Sequence, residues 1–151
     1  MLWYQWAFWV LSSFLFMEFM AWFTHKYIMH GFLWVLHRDH HIRDGRRFEW
    51  NDLFALMFAL PSIYLIYLGA AQGSDLRLAI GIGIALYGLA YFLFHDVYVH
   101  RRVKFGKLPE NRYLRATLKA HLDHHKPHSQ RNFGFLLAPL KYYQAEWSNK
   151  Q

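Results

Sequence analysis

Three long stretches almost free of charge decide what this chain can become. From Leu2 to Thr24 the one formal charge is Glu18, and neither Leu53 to Ala71 nor Leu78 to Phe94 carries any. A helix needs roughly 20 residues to cross the hydrocarbon core of a bilayer, with about 17 near the lower limit. The first two runs exceed that length, and the third reaches it with His95 and Asp96 at the interface. The expected class is an all-α integral membrane protein with about three transmembrane helices, forming a single membrane-embedded domain over residues 1–151. Long buried helices of a soluble bundle are the competing reading. The first run lacks a basic start and a small-residue cleavage signature, so it reads as a membrane helix and not as a signal peptide.

Charge orients these helices. Lysine and arginine total 17 against 10 acidic residues, a formal net charge of +7. Arg38, Arg43, Arg46 and Arg47 follow the first run, a second basic region runs from Arg101 to Lys126, and the loop between the other two runs carries only Asp75 and Arg77. The positive-inside rule puts both basic regions in the cytoplasm and the short loop and N-terminus outside. Juxtamembrane basic residues are explained more cheaply by lipid headgroups than by nucleic acid, which is not expected as a partner. Arg101, Arg102 and Lys104 are also candidates for docking an acidic protein. The chain has no cysteine, which excludes disulfides and cysteine-ligated iron–sulfur or haem centres.

The first helix is expected from near Trp3 past Thr24 and on through His30, with Trp3, Tyr4 and Trp6 at its outer end. Gly45 marks a turn, a second helix starts near Asn51 or Asp52, and Pro61 is expected to kink it. Gly69 and Gly73 frame the outer turn. Gly81, Ala85 and Gly88 share a face on which another helix can approach closely. A cytoplasmic helix from Glu110 to Lys126, ended by Pro127, aligns Leu114, Leu118, His121 and His125. The segment FGFLLAPLKYY is too short to span and is expected to be re-entrant, interfacial, or a cap over the site.

The histidines carry the chemistry. His25 and His30 form H-x4-H, followed by His37, His40 and His41 as H-x2-H-H; His95 and His100, then His121, His124 and His125, repeat both patterns. Ten of the chain's eleven histidines belong to these groups, and His128 stands outside them. On a helix His37 and His41 share a face, as do His121 and His125, with His40 and His124 beside them. An H-x4-H pair on an ideal α-helix points in two directions, so it either embraces an ion from two sides or needs a kink. Neutral imidazoles are good donors to zinc or iron. One tetrahedral ion cannot use ten ligands, so two ions with about four or five histidines each fit the inventory. Asp39, Asp96 and Asp123, beside the histidines, are expected in outer hydrogen bonds, while Asp44 is as readily a solvated interfacial residue. Glu18 lies almost two turns before His25 and needs a protein partner inside the membrane, either a bundle hydrogen bond or the metal site's surroundings.

The segments HKYIMHGFLWVLHRDHH, FEWNDLFALMFALPSIYL, YFLFHDVYVHRR, HLDHHK and NFGFLLAP resemble the bacterial beta-carotene hydroxylase family, within the membrane fatty-acid hydroxylase and sterol desaturase superfamily. The resemblance covers about Trp22 to Tyr143. It implies a non-haem di-iron monooxygenase of the bacterial cytoplasmic membrane, with the metal site on the cytoplasmic side. The implied reaction is oxygen-dependent hydroxylation of carbon 3 of the beta-ionone ring, taking beta-carotene through beta-cryptoxanthin to zeaxanthin. The same chemistry extends to canthaxanthin, giving astaxanthin. The implied cofactors are two iron ions, with molecular oxygen as cosubstrate and electrons from ferredoxin and its reductase. No catalytic residue is expected beyond the di-metal site. Phe94, Phe133, Phe135 and Leu136 are the candidates for the ring pocket. A related membrane di-iron hydroxylase or desaturase acting on a fatty acid or sterol is the alternative.

Overall fold

The computed structural model describes residues 1–42, 48–73, 75–103, 106, 109–126, 129 and 131–148. The expectations for Arg43, Asp44, Gly45, Arg46, Arg47, Lys104, Pro127 and His128 lie outside these.

Helix α1 spans Trp3–Phe23 and continues as a π-helix over Thr24–Phe32, until Gly31 leaves helical geometry at φ −100°, ψ −124°. Helix α2 spans Trp34–His41. A short 3-10 turn at Trp50–Asp52 leads into α3, Leu53–Ala71, which runs on through Pro61 without a break, so the helix is not divided there. Helix α4, Leu76–Tyr91, again becomes π-helical over Phe92–Val99. Helices α5, Arg112–His124, and α6, Leu140–Ser148, complete the described elements. Three continuous helical segments, Trp3–Phe32, Trp50–Ala71 and Leu76–Val99, are long and apolar enough to cross a membrane. They carry exposed apolar side chains such as Phe8, Leu15, Leu60 and Tyr67. In lipid such a face costs nothing, and helices associate through close packing of small residues instead.

Helix α4 is the central one, packed on both α1 and α3. A methyl group added to Gly83 would lie 1.9 Å from Ser13 Oγ and 2.5 Å from the Val10 carbonyl oxygen, so glycine sets the α1–α4 separation. Gly81 plays the same part against α3, where a Cβ would meet Ile66 and Ser62 below 3.0 Å. The expected face is therefore only partly correct. Gly81 makes a close contact, Gly83 on another face makes the tightest one, and a Cβ on Gly88 meets nothing within 4 Å among the described residues. Gly83→Ala should overpack the α1–α4 contact and lower stability by about 1–3 kcal/mol. Thermal unfolding in detergent should show a lower midpoint for Gly83→Ala and none for Gly88→Ala.

Asn111 caps α5, its side-chain oxygen accepting from Leu114 N at 2.8 Å. The buried face of α5 is Ala116, Thr117, Ala120, His121 and His124, with Leu114 and Leu118 only half-buried. Small residues seat this helix, and the leucines lie at its rim. Arg115 and Lys119 pair with the buried Glu146 of α6, a helix that the sequence did not announce.

Candidate metal centre

The π-helical segments explain the H-x4-H spacing. Hydrogen bonds from residue i to i+5 widen the turn, bringing side chains five apart onto a common side. The bond from His100 N to His95 O, 2.9 Å, is of this kind, as is Leu33 N to Ile28 O at 3.0 Å. The ring centroids of His25 and His30 are accordingly 5.1 Å apart, and those of His95 and His100 4.4 Å. No kink within the pair is needed; a change of helical register suffices.

The ten histidines meet at one end of the three long helices, and they do not sort by sequence half. His25, His30, His37, His41 and His124 form one group that could hold a metal ion, with one ligand atom from each all within 4.8 Å of one another. His40, His95, His100 and His121 form a second. Each triad thus gives its middle histidine to the other half's cluster. His125 lies between the groups, its ring stacked on His41 at 4.3 Å and 4.7 Å from that of His121. Its Nε2 is buried with no hydrogen-bond partner among the described residues.

Outer hydrogen bonds set the tautomers. The Nδ1–H of His25 donates to the Phe133 carbonyl (2.9 Å), that of His37 to Asn51 Oδ1 (2.6 Å), and that of His124 to the Arg131 carbonyl (2.8 Å). In the second group His40 Nδ1–H donates to Glu49 Oε2 (3.0 Å) and His95 Nδ1–H to Asp96 Oδ1 (3.1 Å). Each of these rings therefore turns a bare Nε2 lone pair inward. His25 and His37 Nε2 face each other at 3.2 Å, and His40 and His95 Nε2 at 3.1 Å. Two lone pairs at that distance repel unless a cation lies between them.

A proton is a poor choice of cation here. Burial, followed by the neighbouring imidazoles, holds His41 at about 3 and His125 at about 2. Burial likewise holds His37 at about 3, against the opposing pull of Asn51, and keeps His40 and His121 well below the ordinary histidine value. Neutral imidazoles with converging lone pairs and carboxylate or carbonyl partners behind them are what a nitrogen-rich metal site requires. The donor set fits two metal ions.

The outer partners were only partly anticipated. Asp96 does back a histidine, and Arg102 bridges it (3.3 Å) to Asp52 (2.6 and 2.7 Å). Arg102 is therefore committed to the site's surroundings rather than to docking, whereas Arg101 is exposed. Asp39 instead accepts from Trp50 N at 2.6 Å, and Asp123 from Tyr142 at 2.7 Å and from Lys126. Glu49 and Asn51 were missed, because nothing in FEWND but its place before a helix marks it. Asn51→Leu removes the acceptor that fixes His37, and metal affinity should fall about 10–100-fold. Metal titration of the purified protein measures this.

Of FGFLLAPLKYY, residues 133–137 lie over the histidines together with Arg131, as the expected cap would, while Leu140–Tyr143 belong to α6. The carbonyls of Phe133 and Arg131 orient His25 and His124, and the Phe135 ring stacks on His25 at 4.7 Å. Glu18 fastens the far side of the cap: the carboxyl oxygens accept from the backbone N–H groups of Phe135, Leu136 and Leu137 at 3.0–3.2 Å and from Tyr87 at 2.7 Å. A cavity of about 390 Å³ lies between α1, α3 and α4, with Tyr91 and Phe135 at its histidine end. Tyr91 stacks on His95 at 4.6 Å. Of the four expected pocket residues only Phe135 is among those lining this cavity. Phe133 packs on His25, His30 and His124, Phe94 stacks on Tyr98, and Leu136 packs on the core of Met17, Ala21 and Tyr87.

The model of the fatty acid hydroxylase family matches residues 10–142. The beta-carotene hydroxylase of Pantoea ananas is 44% identical over 142 residues, covering 92% of this chain and 81% of that protein. The chain belongs to the fatty acid hydroxylase family, in its beta-carotene hydroxylase branch. The similarity extends to other members of that branch. A beta-carotene hydroxylase of a Paracoccus species is 37% identical over 134 residues, 86% of this chain and 82% of that one. The chloroplastic beta-carotene 3-hydroxylase 2 of Arabidopsis thaliana is 38% identical over 112 residues, 72% of this chain and 37% of that one. No solved structure matches the chain.

Proposed function

We propose that this protein hydroxylates carbon 3 of carotenoid beta-ionone rings, converting beta-carotene through beta-cryptoxanthin to zeaxanthin, with canthaxanthin as a second substrate. The observation that carries this reading is the pair of buried histidine clusters, lone pairs inward, beside an apolar cavity in a member of the beta-carotene hydroxylase branch. His25, His30, His37, His41 and His124 would hold one iron, and His40, His95, His100 and His121 the other, with His125 between them. Two irons bound there would supply the reductive activation of dioxygen, one oxygen atom entering the product and the other leaving as water.

The protein's own residues position and shield. Glu49, Asn51 and Asp96 hold the imidazoles in the tautomer that presents Nε2, and the Asp52–Arg102–Asp96 bridge fixes the carboxyl behind His95. Phe135 and Tyr91 separate the clusters from the cavity with one layer of ring. An apolar ring in that cavity is held against the site without passing through water. The positive-inside rule supports a cytoplasmic position for the clusters, where ferredoxin would deliver electrons. Exposed Arg101 and Arg38 suit an acidic surface.

Expression in a host that accumulates beta-carotene and supplies ferredoxin and its reductase tests the reading. Chromatography with mass spectrometry should reveal the one-hydroxyl and then the two-hydroxyl product. An inserted, iron-loaded protein that yields neither, while oxidising a fatty acid or sterol, would overturn the substrate assignment.

A further inference from the structure

Helices α3 and α4 are tight at one end and parted at the other. A Cβ on Gly69 would fall 2.3 Å from Leu78 N, and one on Gly81 would meet Ser62 and Ile66, so the backbones nearly touch near the connecting turn. Seven residues beyond Gly81, at Gly88, nothing lies within 4 Å among the described residues. Between the parted ends lies the cavity, floored on the α1 side by Met17, Ala21 and Thr24. Its lining includes Ala55 and Ile63 of α3 and Ala85, Gly88 and Phe92 of the α4 side, all of them exposed. That exposure lies within two helices long and apolar enough to cross a membrane, so the cavity has a mouth on their lipid-facing side.

From this geometry we infer that the α3–α4 cleft is a lateral portal through which a carotenoid ring passes from the bilayer to the histidine end of the cavity, against Tyr91 and Phe135, and that Gly88 and Ala85 set its width. The inference rests on the proposed function for the identity of its occupant. The volume, about 390 Å³, lies low in the range of roughly 300–1,000 Å³ typical of ligand pockets, which suits a ring end rather than a complete polyene. The lining is mostly apolar; Asn51 and Asp96 in it back His37 and His95, Asp52 pairs with Arg102, and the Ser62 hydroxyl already donates to the Gly81 carbonyl at 2.8 Å. An apolar ring therefore has one favourable direction of approach, with its edge toward Tyr91 and Phe135. At Gly88 packing does not require glycine, since an added Cβ meets nothing within 4 Å among the described residues. Its smallness serves passage.

Gly88→Phe and Ala85→Phe place a ring at the mouth; a Cβ on Gly88 has nothing within 4 Å among the described residues, and replacing a helical glycine does not cost helix propensity. Leu86→Phe, at an exposed position of α4 outside the cavity lining, is the control. In the carotene-accumulating host, Gly88→Phe should lower hydroxylated product at least about tenfold. Iron per chain should stay unchanged, and Leu86→Phe should match the wild type. The second readout needs no turnover: carotenoid retained by purified, iron-depleted protein, measured by its visible absorption, should be present in the wild type and lost in Gly88→Phe. Equal retention and equal product in both phenylalanine variants would overturn the portal. A wild type that makes no product would instead count against the proposed function. In that case, retention lost in Gly88→Phe still supports the portal, and retention unchanged rejects it.

Discussion

His124→Ala should empty the cluster built mainly from the first half of the chain, and His40→Ala the cluster built mainly from the second. The reason is the exchange of middle histidines: His124 Nε2 lies 3.0 Å from His30 Nε2, and His40 Nε2 lies 3.1 Å from His95 Nε2. Each variant removes one inward lone pair and, with it, the purpose of an outer partner, Arg131 O or Glu49. Iron bound per chain should fall by about half, because metal affinity depends on the full deprotonated ligand set. Turnover should fall further than the roughly 10–100-fold typical of losing an outer partner. Mössbauer spectra of iron-57-loaded protein separate the possibilities. His124→Ala should abolish the same signal as His37→Ala, and His40→Ala the same signal as His121→Ala. If His124→Ala instead matched His121→Ala, each half would serve its own metal and the exchanged arrangement would be wrong.

That exchange marks the boundary of what the sequence made legible. The three spans were plain because lack of charge over about 20 residues is a one-dimensional property, and the ten histidines were plain because their spacing repeats. Pairing across the halves depends on how α2 and α5 lie against each other, which no spacing encodes. The π-helical turns were hidden for a related reason. H-x4-H is awkward on an α-helix, but only the backbone shows that the turn widens over Thr24–Phe32 and Phe92–Val99 to resolve it. Among the glycines, Gly81 and Gly88 look equivalent in sequence, yet one touches a neighbouring helix and the other lines a cavity. Glu49, Asn51 and the carbonyls of Arg131 and Phe133 bear no mark at all, since any carbonyl or carboxyl group can back an imidazole once the chain has brought it there.

Glu18 was conspicuous in the sequence as a charge-bearing residue in a membrane helix, and its structural role predicts the second large effect. Glu18→Ala leaves three backbone N–H groups and the Tyr87 hydroxyl without their acceptor, inside a segment where water is scarce. Each orphaned buried donor costs about 1–3 kcal/mol, so a loss on the order of 3–6 kcal/mol is expected once some donors find new partners. The damage should spread along the cap. The stretch of chain that Glu18 holds from one side carries, on the other, the Phe133 carbonyl that fixes His25 and the Phe135 ring that covers it. Glu18→Gln keeps one acceptor oxygen and should fall between the wild type and Glu18→Ala in both thermal midpoint and iron retention. A residue that merely filled space would show a different order, with the near-isosteric glutamine equal to the wild type. Unchanged unfolding midpoint and unchanged iron retention in Glu18→Ala would show that the cap stays in place without it.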